Sequence, residues 1–361
     1  MKKILLAVVC AAAVALTACG PKSSITKGSA SKFDSLSYAA GVQLGGALRF
    51  QMRTIPLDYE AFTDGLADGA LGKGRLTMIE AMDRWQEYQA STPQRRSEIM
   101  KKRKQADSIR LANGDSTKVN YPMADPEMFE NDKERADVSY ALGVSYGANV
   151  ATQDIPFQTY WVCQGVRDMQ DGELKMSEND ANMFWYNYNV VVLPAQNQER
   201  SEAWLAKVEK QSGVQKTESG LLYKVVAPGD MSQCATNNRD KVKVHYKGTK
   251  ANGKVFDASR FKDMPKFRQE IMKKRMPEDY AQDEPAEFPL NGVIKGWSEG
   301  MKLIGPGGKI ILWIPSDLAY GPRGNQGIGG NEALRFDVEL LEVTPFVAPK
   351  PVAPAEPAAE E

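Results

Sequence analysis

The residues best placed to do chemistry lie between Asp240 and Val343, in runs that gather rings and branched side chains rather than nucleophiles. They read Val242-Lys243-Val244-His245-Tyr246-Lys247-Gly248, then Val293-Ile294-Lys295-Gly296-Trp297, then Ala319-Tyr320-Gly321, then Leu334-Arg335-Phe336-Asp337-Val338-Glu339-Leu340-Leu341. The first and last runs alternate apolar with polar residues, as half-buried strands do. The middle run is a short apolar turn carrying a tryptophan. Together they describe a small site with few ionisable groups. By residue type alone the same set fits plain core, because alternating aromatic and β-branched residues are mostly packing. The chain has 1 histidine. His245 sits mid-strand and reads as a packed core residue; its solitude argues against a Ser-His-Asp triad or a multi-histidine metal site. The glycine-rich runs Gly305-Pro306-Gly307-Gly308 and Gly324 to Gly330 do not open a helix with a Lys-Ser/Thr pair, so turn chemistry explains them better than phosphate binding.

Read in order along the chain, these runs resemble the FKBP-type peptidyl-prolyl cis-trans isomerases in their bacterial lipoprotein form. The segment Gly253-Lys254-Val255-Phe256-Asp257-Ala258-Ser259-Arg260 joins them in that resemblance. It implies an α+β fold in which a bent antiparallel sheet wraps one short helix, with the pocket between them. Carried over by motif, Tyr246 opens the wall and Phe256 and Asp257 follow, with Arg260 expected to pair with that aspartate. Val293 and Ile294 form the turn, Trp297 the floor, and Tyr320 the hydroxyl that bonds a substrate carbonyl. Ile328 and Phe336 close the other side. The resemblance implies catalysis of rotation about X-Pro bonds, proline-containing unfolded or nascent polypeptides as substrates, and no cofactor or metal. Three departures stand out. Ala286 replaces an aromatic wall residue, Gly329-Gly330 predict a looser loop over the pocket, and Phe261 to Pro285 is an insertion. Ala286 and the Gly329-Gly330 pair motivate an alternative reading, a non-catalytic chaperone or binding module with a decayed pocket. A further option is a scaffold built on the helical region described below.

The first residues have the layout of a secretory signal: Lys2 and Lys3, an apolar run Ile4 to Leu16, then Leu16-Thr17-Ala18-Cys19. That ending resembles a bacterial lipobox, which makes Cys19 the expected first mature residue and the expected lipidation site, anchored by more than one acyl chain. An ordinary cleaved signal with a chance cysteine is the plainer alternative. The expected anchor is in the outer membrane, with the inner membrane as the other option, and the lack of an acidic cluster in Gly20-Pro21-Lys22-Ser23-Ser24 favours a periplasm-facing anchor over surface export. Cys163 and Cys234 stay open between a disulfide and free thiols. Lys plus Arg and Asp plus Glu each number 46, so the formal charge is zero and nothing favours nucleic-acid binding.

Between signal and isomerase-like region, residues 34–91 and 137–191 repeat each other. The period of about a hundred residues is far too long for a solenoid. Ser37-Tyr38-Ala39-Ala40-Gly41-Val42-Gln43-Leu44-Gly45 recurs as Ser139-Tyr140-Ala141-Leu142-Gly143-Val144-Ser145-Tyr146-Gly147. Ile55-Pro56 recurs as Ile155-Pro156; Gly65, Asp68 and Gly72 recur as Gly165, Asp168 and Gly172. A capping box beginning at Thr77 has its counterpart at Ser177. Each copy therefore predicts a helix, an Ile-Pro turn, a short helix, a cap and a long helix. Each also resembles the helical amino-terminal domain of macrophage infectivity potentiator-type FKBPs, which implies pairing of such domains. The glycine pairs Gly41/Gly45 and Gly143/Gly147 lie on one helix face; they either admit another helix closely or relieve crowding within one copy. The expected organisation is a signal over 1–18, a tether over 19–33, helical copies over 34–112 and 137–213, a linker over 113–136, the isomerase-like domain over 214–345 with its insertion at 261–285, and a disordered Pro/Ala-rich tail over 346–361. An intrachain pseudo-dimer of the two copies is the expected arrangement. Loop closure costs grow only logarithmically with length, and tethering supplies a roughly millimolar effective concentration.

Overall fold

The computed structural model describes residues 33–153, 155–278, 283–325 and 327–348. The signal segment, Cys19, nearly all of the tether and the tail beyond residue 348 lie outside the described residues. Among the described residues no helix is long and apolar enough to cross a membrane. The chain divides into two compact units, one running to Asn197 with the short segment Arg323–Gly330, the other comprising Gln198–Pro322 and the chain from Asn331.

In the first unit, helix α1 (Ser35–Gln51) starts where the Asp34 side chain accepts from the Ser37 N–H at 2.7 Å. Helix α2 (Tyr59–Leu71) starts at Asp58 and ends on Gly72, whose φ of 62° is a left-handed stop. The Thr77–Glu80 capping box opens α3 (Met78–Ala112). The second copy follows the same plan in α4 (Asp132–Thr152), α5 (Thr159–Asp171, stopped by Gly172 at φ 78°) and α6 (Glu178–Asn187, capped by Ser177). A π-helical turn, Tyr188–Val192, then leads into α7 (Leu193–Glu209). Pro194, which has no N–H to donate, falls just after that turn. Helix α4 begins at Asp132, ahead of the expected 137, because Asn131 caps it and Arg95 holds Glu134 by two bonds of 2.7 Å.

The two copies interlock. Helix α1 packs on α5, and α2 packs on α4. The glycines mark where the backbones touch. A Cβ on Gly41 would lie 2.1 Å from the Val162 carbonyl oxygen, and one on Gly165 would lie 2.4 Å from that of Tyr38. In the other pairing, a Cβ on Gly65 would meet the Tyr140 oxygen at 2.1 Å, and Cβ atoms on Gly143 and Gly147 would meet those of Phe62 and Leu66 at 2.0 Å. Every one of these approaches joins one copy to the other, so the glycines serve close helix contact rather than relief within a copy. Polar bonds repeat with the sequence. The Ser37 hydroxyl accepts from Gln158 N–H at 2.8 Å, and Ser139 accepts from Asp58 N–H at 2.9 Å. Around them Phe62, Leu66, Ile155, Phe157, Trp85 and Trp185 form one core.

The second unit is a seven-stranded antiparallel sheet built from β1 (Gln215–Lys216), β2 (Leu222–Ala227), β3 (Lys241–Lys250), β4 (Val255–Ala258), β5 (Ala286–Pro289), β6 (Lys309–Ile314) and β7 (Leu334–Thr344). The order is β1-β2-β6-β7-β3-β4, with β5 also paired to β3. A register shift after Lys243 lets Val242, Val244, Tyr246 and Gly248 face the same side as Val343, Leu340, Val338 and Phe336. The short helix α9 (Lys295–Gly300) lies on that side, numbered after an inserted helix α8 (Lys266–Arg275). Its glycines let it lie flat: a Cβ on Gly296 would meet Ile314 at 2.5 Å, and one on Gly300 would meet Leu312 at 2.6 Å. The opposite side is covered by the end of α7, where Trp204, Leu205 and Val208 pack on Leu222, Trp313 and Ile311. Cys163 and Cys234 are not joined in a disulfide.

Candidate active site

Strand β3 brings Tyr246 to the face that carries α9, and β7 brings Phe336 beside it through the pairs Tyr246–Val338 and Gly248–Phe336. Trp297, 4% exposed, rises from α9 between them. Its ring lies 5.4 Å from Tyr246 and 5.3 Å from Phe336, nearly perpendicular to both. Phe256 meets Phe336 edge-on at 5.6 Å. Such edge-to-face contacts favour fixed ring positions over simple oily packing. Gly248 keeps the space between two of these rings: a Cβ there would stand 2.6 Å from Phe256 and 2.9 Å from Phe336.

One polar pair belongs to this box. The Tyr246 hydroxyl donates to Asp257 at 2.6 Å. Burial, followed by the bond and charge of Asp257, pushes the Tyr246 phenol well above its ordinary value, so it stays protonated at neutral pH. The Asp257 carboxylate also accepts from the Ala258 N–H at 3.0 Å. Tyr320 is half-buried. Val293 and Ile294 are half-buried at the start of α9, where Ile294 is the N-cap. Ile328 is buried on the segment that groups with the first unit, exchanging two 2.9 Å backbone bonds with Asn325.

The expectation for Arg260 fails. Arg260 bonds Glu339 at 2.6 Å, and the guanidinium on Asp257 is that of Arg268, from the inserted helix α8. The register explains it. Glu339 faces away from the box together with His245, its partner across the β3–β7 pairing, and Lys309 bonds it at 3.1 Å, so Arg260 finds a stronger carboxylate site there. Sequence reasoning also missed Phe288, whose ring lies 6.1 Å from Tyr246 and 6.0 Å from Trp297. The alternation Ala286-Glu287-Phe288 carried that signal, because Phe288 and Ala286 sit opposite Val242 and Val244. His245 is 9% exposed and its Nδ1 lies 3.1 Å from the Ser259 hydroxyl; burial, with Arg260 beside it, lowers its pKa.

Comparisons with known proteins identify the family. The profile of FKBP-type peptidyl-prolyl cis-trans isomerases matches residues 233–341. The profile of the domain amino-terminal to such isomerases matches twice, over 33–117 and 135–225. The isomerase FkpA of Escherichia coli is 34% identical over 249 residues, which cover 64% of this chain and 82% of the relative. The chain belongs to the FKBP-type peptidyl-prolyl cis-trans isomerases. The isomerase is also 34% identical to Mip of Coxiella burnetii over 232 residues, covering 61% of this chain and 90% of the relative. A crystal structure of Escherichia coli FkpA matches 53% of this isomerase and 84% of that chain, with a TM-score of 0.37. The enzyme therefore catalyses cis-trans interconversion of X-Pro peptide bonds in polypeptide substrates.

Proposed function

We propose that the aromatic box is where an X-Pro bond rotates. In this reading Trp297 is the floor for the proline ring, and Tyr246, Phe256 and Phe336 are its walls. Val293 and Ile294 extend the apolar rim, and Tyr320 donates to a carbonyl flanking the proline. Rotation meets a barrier of roughly 18–20 kcal/mol, because amide resonance holds the bond planar. The twisted amide has lost that resonance and its charge separation, so it prefers a dry site more strongly than the planar form does. Cis and trans X-Pro forms are nearly balanced, so lowering the barrier is all that is required. The observation that carries the reading is the chain of perpendicular ring contacts from Tyr246 to Trp297, Trp297 to Phe336 and Phe336 to Phe256, with one carboxylate bonded to Tyr246. Asp257 supplies a fixed negative field and holds the Tyr246 ring. NMR exchange on an X-Pro peptide tests the assignment. Asp257→Ala combined with Tyr320→Phe should lower catalysed exchange sharply without unfolding the sheet, and unchanged exchange would remove these residues from the site.

The substrates proposed are proline-containing unfolded or nascent polypeptides outside the cytoplasm, reached from a lipid anchor at Cys19. The signal-like opening and the Leu-Thr-Ala-Cys run support this. Cys19→Ser should release the protein from the membrane fraction and end labelling by a fatty-acid probe; retention in that fraction would refute the anchor. The proposed assembly is a monomer in which the two helical copies pair within one chain. The reciprocal glycine contacts and the repeated Ser and Tyr bonds support it. Light scattering of a lipid-free form should give a monomer, and a dimer that survives dilution would refute it.

A further inference from the structure

The chain between Tyr320 and Phe336 is rich in glycine, and the sequence predicts it to be loose. Its later part is instead tied down. Among the described residues Asn331 is the non-glycine one at positive φ, 60°, a conformation that asparagine tolerates better than most. Its N–H donates to the Gly321 carbonyl at 2.9 Å, drawing the two ends of the connection together directly beside Tyr320. Glu332, 5% exposed at its side chain, pairs with Lys250 of β3 at 3.2 Å. Asn331 and Ala333 share one further partner. The Ser201 hydroxyl donates to the Asn331 carbonyl at 3.0 Å and accepts from the Ala333 N–H at 2.9 Å.

Ser201 lies on α7, the helix that links the helical region to the sheet, and is 7% exposed. Trp204, Leu205 and Val208 follow it on the helix face that packs on Leu222 and Trp313. One turn before it, the buried Asn197 donates to the Gly330 carbonyl at 2.9 Å. A serine within a helix commonly turns back to a carbonyl of its own preceding turn. Here the hydroxyl serves two backbone groups of the Tyr320–Phe336 connection. Buried backbone groups without a partner are costly, so this one side chain satisfies a donor and an acceptor that strand β7 does not yet pair.

We propose that Ser201 is a positioning residue of the isomerase: from the linking helix it fixes the Asn331–Ala333 backbone, and through the Asn331–Gly321 bond it sets Tyr320 against Phe336. The proposal rests on the reading of the aromatic box as the site of rotation. It makes the linking helix part of the enzyme's working unit rather than a spacer.

The test uses full-length protein carrying Ser201→Ala, Ser201→Thr or Val208→Ala. Val208→Ala weakens the same helix contact without touching the bonds to the loop. Ser201→Ala should lower kcat/KM on an X-Pro peptide about tenfold, the scale of losing a buried hydrogen bond at the transition state. It should also speed amide hydrogen exchange at Asn331 to Ala333 more than elsewhere in the sheet. Ser201→Thr, which keeps the hydroxyl, should restore both. Val208→Ala should lower Tm and leave kcat/KM in place. Wild-type catalysis or wild-type exchange at those amides in Ser201→Ala would overturn the proposal, as would equal losses in Ser201→Thr. If the unaltered protein does not accelerate X-Pro exchange at all, the site assignment falls instead, and the amide-exchange arm still decides whether Ser201 holds the loop.

Discussion

Both regions of this protein depend on a tyrosine hydroxyl bonded to an aspartate, and they use the pair in opposite ways. In the helical unit the Tyr38 hydroxyl donates to Asp168 at 2.8 Å and accepts from the Lys175 N–H at 2.8 Å. The repeat reproduces it: Tyr140 donates to Asp68 at 3.0 Å and accepts from the Arg75 N–H at 3.0 Å. In both cases the hydroxyl is filled on both sides, and the bond crosses from one copy to the other. In the box, Tyr246 donates to Asp257, and no backbone N–H among the described residues reaches its oxygen. The ring is half-buried and its acceptor capacity is left for something that arrives. A saturated hydroxyl holds helices together, whereas an unsaturated one on a rigid aromatic frame can meet a ligand. Glycine shows the same contrast. In the helices it admits backbone to backbone, and at Gly248 it keeps a gap between side chains.

The contrast breaks first if the helical glycines can be filled. Gly143→Val would drive a Cβ to within 2.0 Å of the Phe62 carbonyl oxygen and 2.8 Å of the Leu66 nitrogen, neither of which can rotate away. Overpacking usually costs about 1–3 kcal/mol, and contact with fixed backbone belongs at or above the top of that range. Urea unfolding followed in the helical unit should show it, while kcat/KM on a short X-Pro peptide should hold. Gly72→Ala is the control. Nothing stands within 4 Å of its Cβ, so only the strain of φ 62° remains, about 1 kcal/mol. Equal tolerance of both changes would mean that the copies do not depend on close approach.

The tyrosines sharpen the contrast at smaller scale. Tyr38→Phe leaves the Lys175 N–H without its partner and takes one bond from the Asp168 oxygen that the Lys175 ammonium also holds, in a site where the ring is fully buried, which should cost about 1–3 kcal/mol. Catalysis on a short peptide should be untouched. Tyr246→Phe should do the reverse, with stability within about 1 kcal/mol and a clear fall in kcat/KM. The pH response separates them too. Burial alone would raise the Asp168 carboxyl, but bonds from Lys175, Gln164 and Tyr38 overcome it and hold Asp168 below the usual carboxylate range. A folded value below the unfolded one gives stability that is complete above about pH 4 and is lost as pH falls through the folded value. Tyr38→Phe removes one of those bonds, so acid unfolding should begin at a higher pH. The Tyr246 phenol is shifted upward, so kcat/KM should show no titration from it below about pH 10.

The helical unit was legible because a repeat states its own plan twice. Caps, Ile-Pro turns and glycine stops recur, and each copy's helices start and stop on them. The aromatic strands were legible by alternation, and the structure brings Tyr246, Phe256, Trp297 and Phe336 into ring contact. What the chain did not disclose depends on contacts between distant segments. Nothing local to Ser201 marks it as the partner of Asn331 and Ala333, because a single serine in a charged helix looks solvated. Gly329-Gly330 predict looseness when read alone, and the bonds around Asn331 that restrain the chain come from elsewhere in the fold. Arg260 was misplaced for the same reason: motif position named a guanidinium, but strand register decided which carboxylate it would meet.

The smallest expected effect bears on that last point. Arg268 reaches Asp257 from the inserted helix with its side chain 47% exposed, and Asp257 is 35% exposed. A pair so open to water contributes about 0–1 kcal/mol, so Arg268→Ala should scarcely alter Tm. Arg268 still anchors one oxygen of the carboxylate whose other oxygen receives the Tyr246 hydroxyl. Its loss should therefore loosen that carboxylate and lower kcat/KM by a few-fold, with Arg268→Lys recovering part of the loss, because lysine keeps the charge but not the forked geometry. Arg260→Ala should behave differently. It removes a bond to Glu339 on the far side of strand β7, so kcat/KM should remain while stability falls slightly. Kinetics of the two variants at low and high salt decide the matter, since an exposed ion pair is screened. If Arg260→Ala lowers turnover and Arg268→Ala does not, the motif assignment was right after all, and the inserted helix plays no part in setting the box.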